Sequence, residues 1–317
     1  MKRVTCFGTG LIGSGWAVVF LRGGCKVTLY DIDQGKIDAA RKTLDDMMDF
    51  FFSKGLMTVE QKKQCLANAS FTTNVAEAVK DAEFIQESSP ENLELKKKVL
   101  RIIEENCPAT AIIASSTSGL LLSDITAGAL HPERIVGGHP YNPPYVMPLV
   151  EISRIEITAQ KYVDAAKAFY TELGKQPVIL NKESKGFLCN RIQAAVCREA
   201  MDLVNRGVCS VEDIDKAVVF GVGLRWAIMG PHLVNHLGGG ASGFGYFWDH
   251  LSDAFSSWLK DMANWTDIPP AGYVDKAIPG ITEAMAHRQP GTGQNTEELR
   301  AYLNAGIIEI LKYHKMI

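Results

Sequence analysis

Apolar positions along the chain follow two rhythms. Up to about residue 180, short runs rich in β-branched and aromatic residues occur at Arg3–Phe7, Lys26–Tyr30, Glu83–Gln86, Ala111–Ser115, Arg134–Gly138, Leu149–Ile157 and Pro177–Leu180. Runs of this length bounded by turn residues predict strands, and their alternation with helical stretches predicts a mostly parallel sheet with helices on both faces. The first strand runs into Gly8-Thr9-Gly10-Leu11-Ile12-Gly13 and then into a helix-compatible stretch, Ser14–Leu21. From Gln34 to about Ala69 helical periodicity is broken only at Gly55, which predicts an inserted helical hairpin that projects from the sheet.

The second rhythm begins after the polar stretch Asn181-Lys182-Glu183-Ser184-Lys185. Beyond Gly186 the periodicity is helical almost throughout: Leu188, Ile192, Ala195, Val196, Leu203 and Val204 make one stripe ending near Gly207. Ser210 with Asp213 predicts a capping box on the next helix. The expected architecture is α/β, a doubly wound sheet over residues 1–185 followed by an all-α domain over 186–317.

Composition narrows the classes of partner. A chain of 317 residues, 46% hydrophobic and 22% charged, suits two domains with sizeable cores. Its formal net charge is −3 with both signs interspersed, which points to a small-molecule ligand and away from nucleic acid or an anionic membrane. Seven cysteines without a Cys-x-x-Cys pair disfavour disulfides and structural zinc, and no metal is expected. No charged and apolar leader opens the chain and no run of eighteen apolar residues interrupts it, so a cytoplasmic location is expected.

The glycine turn is the first chemical signal. G-x-G-x-x-G alone also occurs in proteins that bind nothing, but here a strand precedes it, a helix follows it, and Asp31 ends the next strand 18 residues after Gly13. That is the fingerprint of a Rossmann domain: Gly8 for the tight turn, Gly10 for approach of the pyrophosphate, Gly13 for helix packing, and the turn through Leu11 and Ile12 aimed at the phosphates. Asp31 can bond ribose hydroxyls and would repel a 2′-phosphate, and Asp33 adds negative charge without a neighbouring Arg, so NAD is expected rather than NADP.

A second group is Ser118, His139, Asn142 and Glu151, in SSTSG and GGHPYNPPYVMPLVE. Serine in such a turn is often only turn chemistry, and a lone histidine after a strand is often structural. His139 stands out because it ends an expected strand of the dinucleotide sheet, and ligands of such sheets lie beyond the carboxyl ends of the strands. Oxidation of a secondary alcohol needs a base near neutrality. A histidine oriented by Glu151 would serve, with Ser118 donating a hydrogen bond to the developing ketone.

These segments resemble the L-3-hydroxyacyl-CoA dehydrogenase family and, more closely, its λ-crystallin or L-gulonate 3-dehydrogenase branch, which includes L-carnitine dehydrogenases. FGTGLIGSGWA, LYDID, FIQESSPENLELKKKV, ASSTSGLL, GHPYNPPYVMPLVE, GFLCNRI and GLRWAIMGP carry the likeness, in the branch's order, from residue 1 to about residue 235. The resemblance implies His139 as general base, Glu151 as its orienting partner, Ser118 and Asn190 as holders of the substrate oxygen and carbonyl, and Glu91 and Lys96 in the NAD site. Ser116 stands where acyl-CoA dehydrogenases usually have Asn, which argues for a free acid of gulonate or carnitine type. Arg225 in GLRWAIMGP would grip its carboxylate, against the alternative of a structural ion pair, and Trp226 would suit a trimethylammonium group, against a plain core role. The resemblance also favours a homodimer. The apolar stripe Leu299, Leu303, Ile307, Ile310 and Leu311 on the last helix must face its own domain or a partner. The rival expectations are a 3-hydroxyacyl-CoA dehydrogenase, with Lys54, Lys62 and Lys63 meeting CoA phosphates, and a non-catalytic crystallin-like protein.

Overall fold

A computed structural model describes residues 2–317. The chain opens as β1 (Arg3–Phe7), α1 (Leu11–Arg22), β2 (Lys26–Tyr30), α2 (Gln34–Ser53), α3 (Val59–Ala67), β3 (Ala69–Thr72), α4 (Val75–Val79), β4 (Phe84–Glu87), α5 (Leu93–Asn106), β5 (Ile112–Ser115), α6 (Leu122–Ile125) and β6 (Ile135–Gly137). The six strands form one parallel sheet in the order β3-β2-β1-β4-β5-β6. Strand order reverses between β1 and β4, and the crevice outside their carboxyl ends is where such a sheet takes a ligand. Strand side chains are buried on both faces, as parallel sheets require. One face packs Trp16, Phe20, Phe84, Phe169 and Tyr170, and the other packs Ile85, Ile103, Ile113, Leu122 and Ile135.

Three expectations change. The hairpin α2–α3 does not project freely: Ala40, Leu44, Met47, Met48 and Phe51 are buried in the cluster that holds α1, so its apolar face makes it part of the crossover into β3. The short, half-exposed β3 has too few apolar residues to be read from pattern. The third change concerns the strands after β6, which leave the large sheet. β7 (His139–Pro140), β8 (Leu149–Ile152) and, beyond α7 (Gln160–Glu172), β9 (Gln176–Ile179) make a separate sheet in the order β7-β8-β9. His139 therefore sits beyond β6 rather than ending it. Strand β8 stops at Ile152 because the Thr158 hydroxyl accepts from the Ile155 amide at 3.1 Å and closes residues 155–158 into a turn.

The chain divides into two compact units, Met1–Arg191 and Ile192–Ile317. Helix α8 (Cys189–Asn205) starts in the first. The second contains α9 (Val211–Ala217), a π-helical turn over Val218–Val222, α10 (Gly223–Ile228), α11 (Pro231–Gly238), α12 (Gly243–Asp261), α13 (Tyr273–Ala286) and α14 (Thr296–Tyr313). Ser210 caps α9 through the Asp213 amide at 3.0 Å, but the Asp213 carboxylate takes the Ser210 hydroxyl at 2.7 Å, so the full capping box does not form. On α14 the buried positions are Asn304, Ile308 and Leu311, while Leu303 and Ile310 stay exposed.

Candidate active site

The glycine turn between β1 and α1 has the shape a pyrophosphate needs. A Cβ on Gly13 would collide with the Gly8 carbonyl, so only glycine lets α1 start this close to the strand. At Gly10 a Cβ would meet nothing within 4 Å, and no side chain caps the helix, which leaves the first-turn amides of Leu11, Ile12 and Gly13 to an anionic ligand. Asp31, buried at the end of β2, accepts from the Thr9 amide and hydroxyl, both at 3.0 Å through Oδ2. Its Oδ1 faces Lys36 Nζ at 4.0 Å, a cation on the next helix that the sequence pattern did not single out. These residues fit an NAD molecule.

The second centre is built by the small sheet. In the antiparallel register of β7 and β8, His139 lies directly opposite Glu151. Imidazole Nδ1 and Glu151 Oε2 are 2.8 Å apart, with both residues buried. The other carboxylate oxygen accepts the amides of Leu188 at 2.8 Å and Cys189 at 3.0 Å, at the start of α8. Burial alone would push the Glu151 carboxyl up, but the His139 hydrogen bond and the two amides outweigh it and hold the group below its ordinary range. An ionised carboxylate only accepts, so Nδ1 carries a proton, and in the neutral ring Nε2 presents its lone pair. Phe187, with φ of 51°, lays its ring 5.2 Å from the imidazole, a neighbour that periodicity could not reveal.

The third centre gathers four more of the expected residues. Glu91 Oε1 accepts from the Thr117 hydroxyl at 2.6 Å and from the amides of Ser118 at 2.9 Å and Gly119 at 3.0 Å. These bonds and Lys96 overcome the burial that would raise the Glu91 carboxyl, and keep it low. Lys96, almost fully buried, reaches Glu91 at 3.7 Å, but its closer partners are both Glu87 oxygens, at 3.0 and 3.1 Å, and the Ser89 carbonyl at 3.0 Å. Its ammonium is thus committed to holding Glu87 and Glu91. Asn190 Nδ2 donates to the Ser118 carbonyl at 3.0 Å, tying the start of α8 to the serine turn. Asn142 is exposed between β7 and β8.

The family model for the 3-hydroxyacyl-CoA dehydrogenase NAD binding domain matches residues 3–184, and that for the 3-hydroxyacyl-CoA dehydrogenase C-terminal domain matches residues 186–271. The chain belongs to the 3-hydroxyacyl-CoA dehydrogenase family. Family membership makes it an NAD-dependent oxidoreductase on a Rossmann domain with a helical partner domain. An L-carnitine dehydrogenase from Oceanobacillus iheyensis is 36% identical over 98% of this chain and 97% of its own length. Another, from a Pseudomonas species, is 38% identical over 98% and 94%. Among solved structures, a 5-formyl-3-hydroxy-2-methylpyridine 4-carboxylic acid 5-dehydrogenase, described as an NAD⁺-dependent dismutase, superimposes with a TM-score of 0.78 at 28% identity, covering 100% of this chain and 98% of that one. The (S)-3-hydroxybutyryl-CoA dehydrogenase of Ralstonia eutropha gives 0.67 at 27%, covering 82% and 88%.

Two expected residues of this dehydrogenase lie in the second unit. Arg225 and Trp226 are neighbours on α10, both exposed, the indole at 40%. Among the described residues no carboxylate pairs with Arg225, so the structural ion pair considered for it is not formed among them. Lys62, expected on the hairpin as a contact for CoA phosphates, is instead clamped by Asp45 at 2.8 Å and Asp49 at 2.6 Å.

Proposed function

We propose that the chain oxidises the 3-hydroxyl of a small L-3-hydroxy carboxylate of carnitine type to the 3-keto acid, using NAD⁺. The observation that carries this reading is the His139–Glu151 pair, with its protonated Nδ1 anchored and Nε2 free to take a proton. His139 removes the hydroxyl proton, and Glu151 stabilises the imidazolium that results. NAD⁺ held by the glycine turn and Asp31 would supply the acceptor for the hydride that leaves the carbon bearing the hydroxyl. Ser118, at the end of the Glu91-held turn, donates to the oxygen as it becomes a carbonyl, and Asn190 and Asn142 orient the acid. Gly8, Gly10, Leu11, Ile12, Gly13 and Asp31 hold the dinucleotide, and Glu91 with Lys96 shapes the edge of its site.

Substrate choice rests on the second unit. The unpaired guanidinium of Arg225 offers a carboxylate two parallel hydrogen bonds, and the indole of Trp226 offers a quaternary ammonium its π face. The neutralisation of Lys62 weakens the acyl-CoA alternative. L-gulonate shares the carboxylate and the 3-hydroxyl but lacks the cation. The exposed Leu303 and Ile310 on α14 support a homodimer, and seven free cysteines suit a reducing cytoplasm. NADH formation measured with L-carnitine, L-gulonate, 3-hydroxybutyrate and 3-hydroxybutyryl-CoA tests the proposal. L-Carnitine should give the highest kcat/KM, and a preference for the CoA ester inhibited by free CoA would overturn it.

A further inference from the structure

One polar cluster at the carboxyl ends of β4, β5 and β6 has no part in the proposed chemistry. Its centre is Gln86, on β4 and fully buried. Gln86 Nε2 donates to the Ser116 hydroxyl at 2.8 Å and to the Gly138 carbonyl at 3.1 Å. Tyr170, fully buried on α7, donates its phenol hydrogen to Gln86 Oε1 at 2.6 Å.

The orientation of this amide is determined by its neighbours. A carbonyl can only accept, so the nitrogen of Gln86 must face Gly138 and the oxygen must face Tyr170. The phenol keeps its proton for the purpose, since burial pushes its ionisation well above the ordinary range. The contact is close enough that a Cβ on Gly138 would strike the Tyr170 oxygen, which explains glycine at that position. What the amide holds is specific. The Gly138 carbonyl belongs to the peptide that leads into His139, and Ser116 is two residues before Ser118. Backbone bonds from Gly138 to Ser115 and from Ser116 to Glu87, both 2.7 Å, align the same strand ends, and Gln86 is the side chain that spans them.

We propose that Gln86, oriented by Tyr170, is a positioning residue for the oxidation, holding the peptide before His139 and the turn before Ser118 in one frame so that base and hydroxyl donor meet the same substrate oxygen. The inference rests on the reading of His139 as base. Catalytic groups must be held within fractions of an ångström, and a shift of about 1 Å from a change remote from the chemistry can cost ~10²-fold in rate. Losing the amide would also leave the buried Gly138 carbonyl and Tyr170 hydroxyl without partners, so both would move to find others.

The test compares Gln86→Met, Tyr170→Phe and Ser116→Ala with His139→Asn. Gln86→Met should lower kcat by about tenfold or more, leave NADH affinity unchanged and displace the acid limb of kcat/KM. Tyr170→Phe, which keeps both amide donors but loosens them, and Ser116→Ala, which removes one arm, should each cost less. Adding Ser116→Ala to Gln86→Met should cost less than the two single losses summed, because the two share a hydrogen bond, the remainder being the contact of Ser116 with the Ser88 hydroxyl at 2.9 Å. Should Gln86→Met fail to fold, the two milder variants carry the test. If the folded variants keep wild-type kcat and pH profile and lose only thermal stability, while His139→Asn is inactive, the positioning role is overturned and the base assignment stands. If His139→Asn remains active, it is the base assignment that fails.

Discussion

In the first unit the carboxylates that matter are saturated with donors. Glu151 takes an imidazole and two amides, Glu91 takes a hydroxyl and a run of turn amides, and Glu87 takes a lysine, two serine hydroxyls and an amide. In the second unit the candidate side chains, Arg225 and Trp226, stand exposed, and Arg225 has no carboxylate partner among the described residues. The contrast separates two tasks. Proton and hydride transfer need preorganised groups whose geometry is fixed before the substrate arrives. Recognition of a particular acid needs groups still free to be satisfied by it. Changes in the first unit should therefore appear in kcat, and changes to Arg225 in KM.

The largest effect expected is for His139→Asn, which should lower kcat by on the order of 10²–10⁴ with little change in NADH affinity. In the wild type kcat/KM should rise from acid toward neutral pH along one ionisation, because only the unprotonated Nε2 can accept the hydroxyl proton. A His139→Asn enzyme with near wild-type rates and the same profile would remove the basis of the comparison.

Glu151→Gln should cost less, about 10²-fold or below, and move the acid limb to lower pH, since the imidazolium loses its counter-charge but keeps a hydrogen-bonding neighbour. Stability gives a second reading. A carboxyl held below its ordinary range contributes stability that is present above the unfolded pKa and is lost as pH falls through the folded one. The denaturant midpoint of the wild type should therefore lose ground to that of Glu151→Gln as the pH is taken down through the carboxylate range. Parallel curves would show that the anion contributes nothing to the fold.

Arg225→Met should raise KM for a carboxylate substrate by about tenfold or more, roughly 1.5–3 kcal/mol for a charge-assisted bond lost, with kcat largely kept. Unchanged KM with reduced stability would return Arg225 to a structural role.

The smallest effect concerns Lys175, buried before β9, whose Nζ donates to the carbonyls of Pro144 and of Met147, the latter at 2.8 Å, in the loop between His139 and Glu151. Burial, helped by Arg22, lowers it from 10.5 to about 7. Between those values the unfolded chain binds the extra proton, so this group makes the wild type more stable as pH rises through that window. Lys175→Met should lack that rise, read as Tm against pH, and an equal slope in both proteins would refute the assignment.

The Rossmann unit was legible because its signals are local: a strand, Gly8 to Gly13 and Asp31 lie within one βαβ stretch. The small sheet was not, because β7 spans two residues and its meaning lies in the cross-strand register of His139 with Glu151, 12 positions apart. Lys96 illustrates a different limit. The sequence places it near Glu91, but only packing shows that Glu87 takes most of its donors. Gln86 and Phe187 lie inside FIQESSPENLELKKKV and GFLCNRI and Tyr170 in no such segment, but nothing in the pattern singled any of the three out, since a buried amide or ring acquires its role from what surrounds it.

The Glu151 carboxylate has one more consequence, for reactivity. Cys189, whose amide it accepts, has its thiol pushed up by burial first and then by the charge of Glu151 itself. Thiolates, not thiols, are attacked by electrophiles and oxidants. The anion that pairs with His139 therefore also disfavours the thiolate of a half-buried sulfur at the first residue of helix α8.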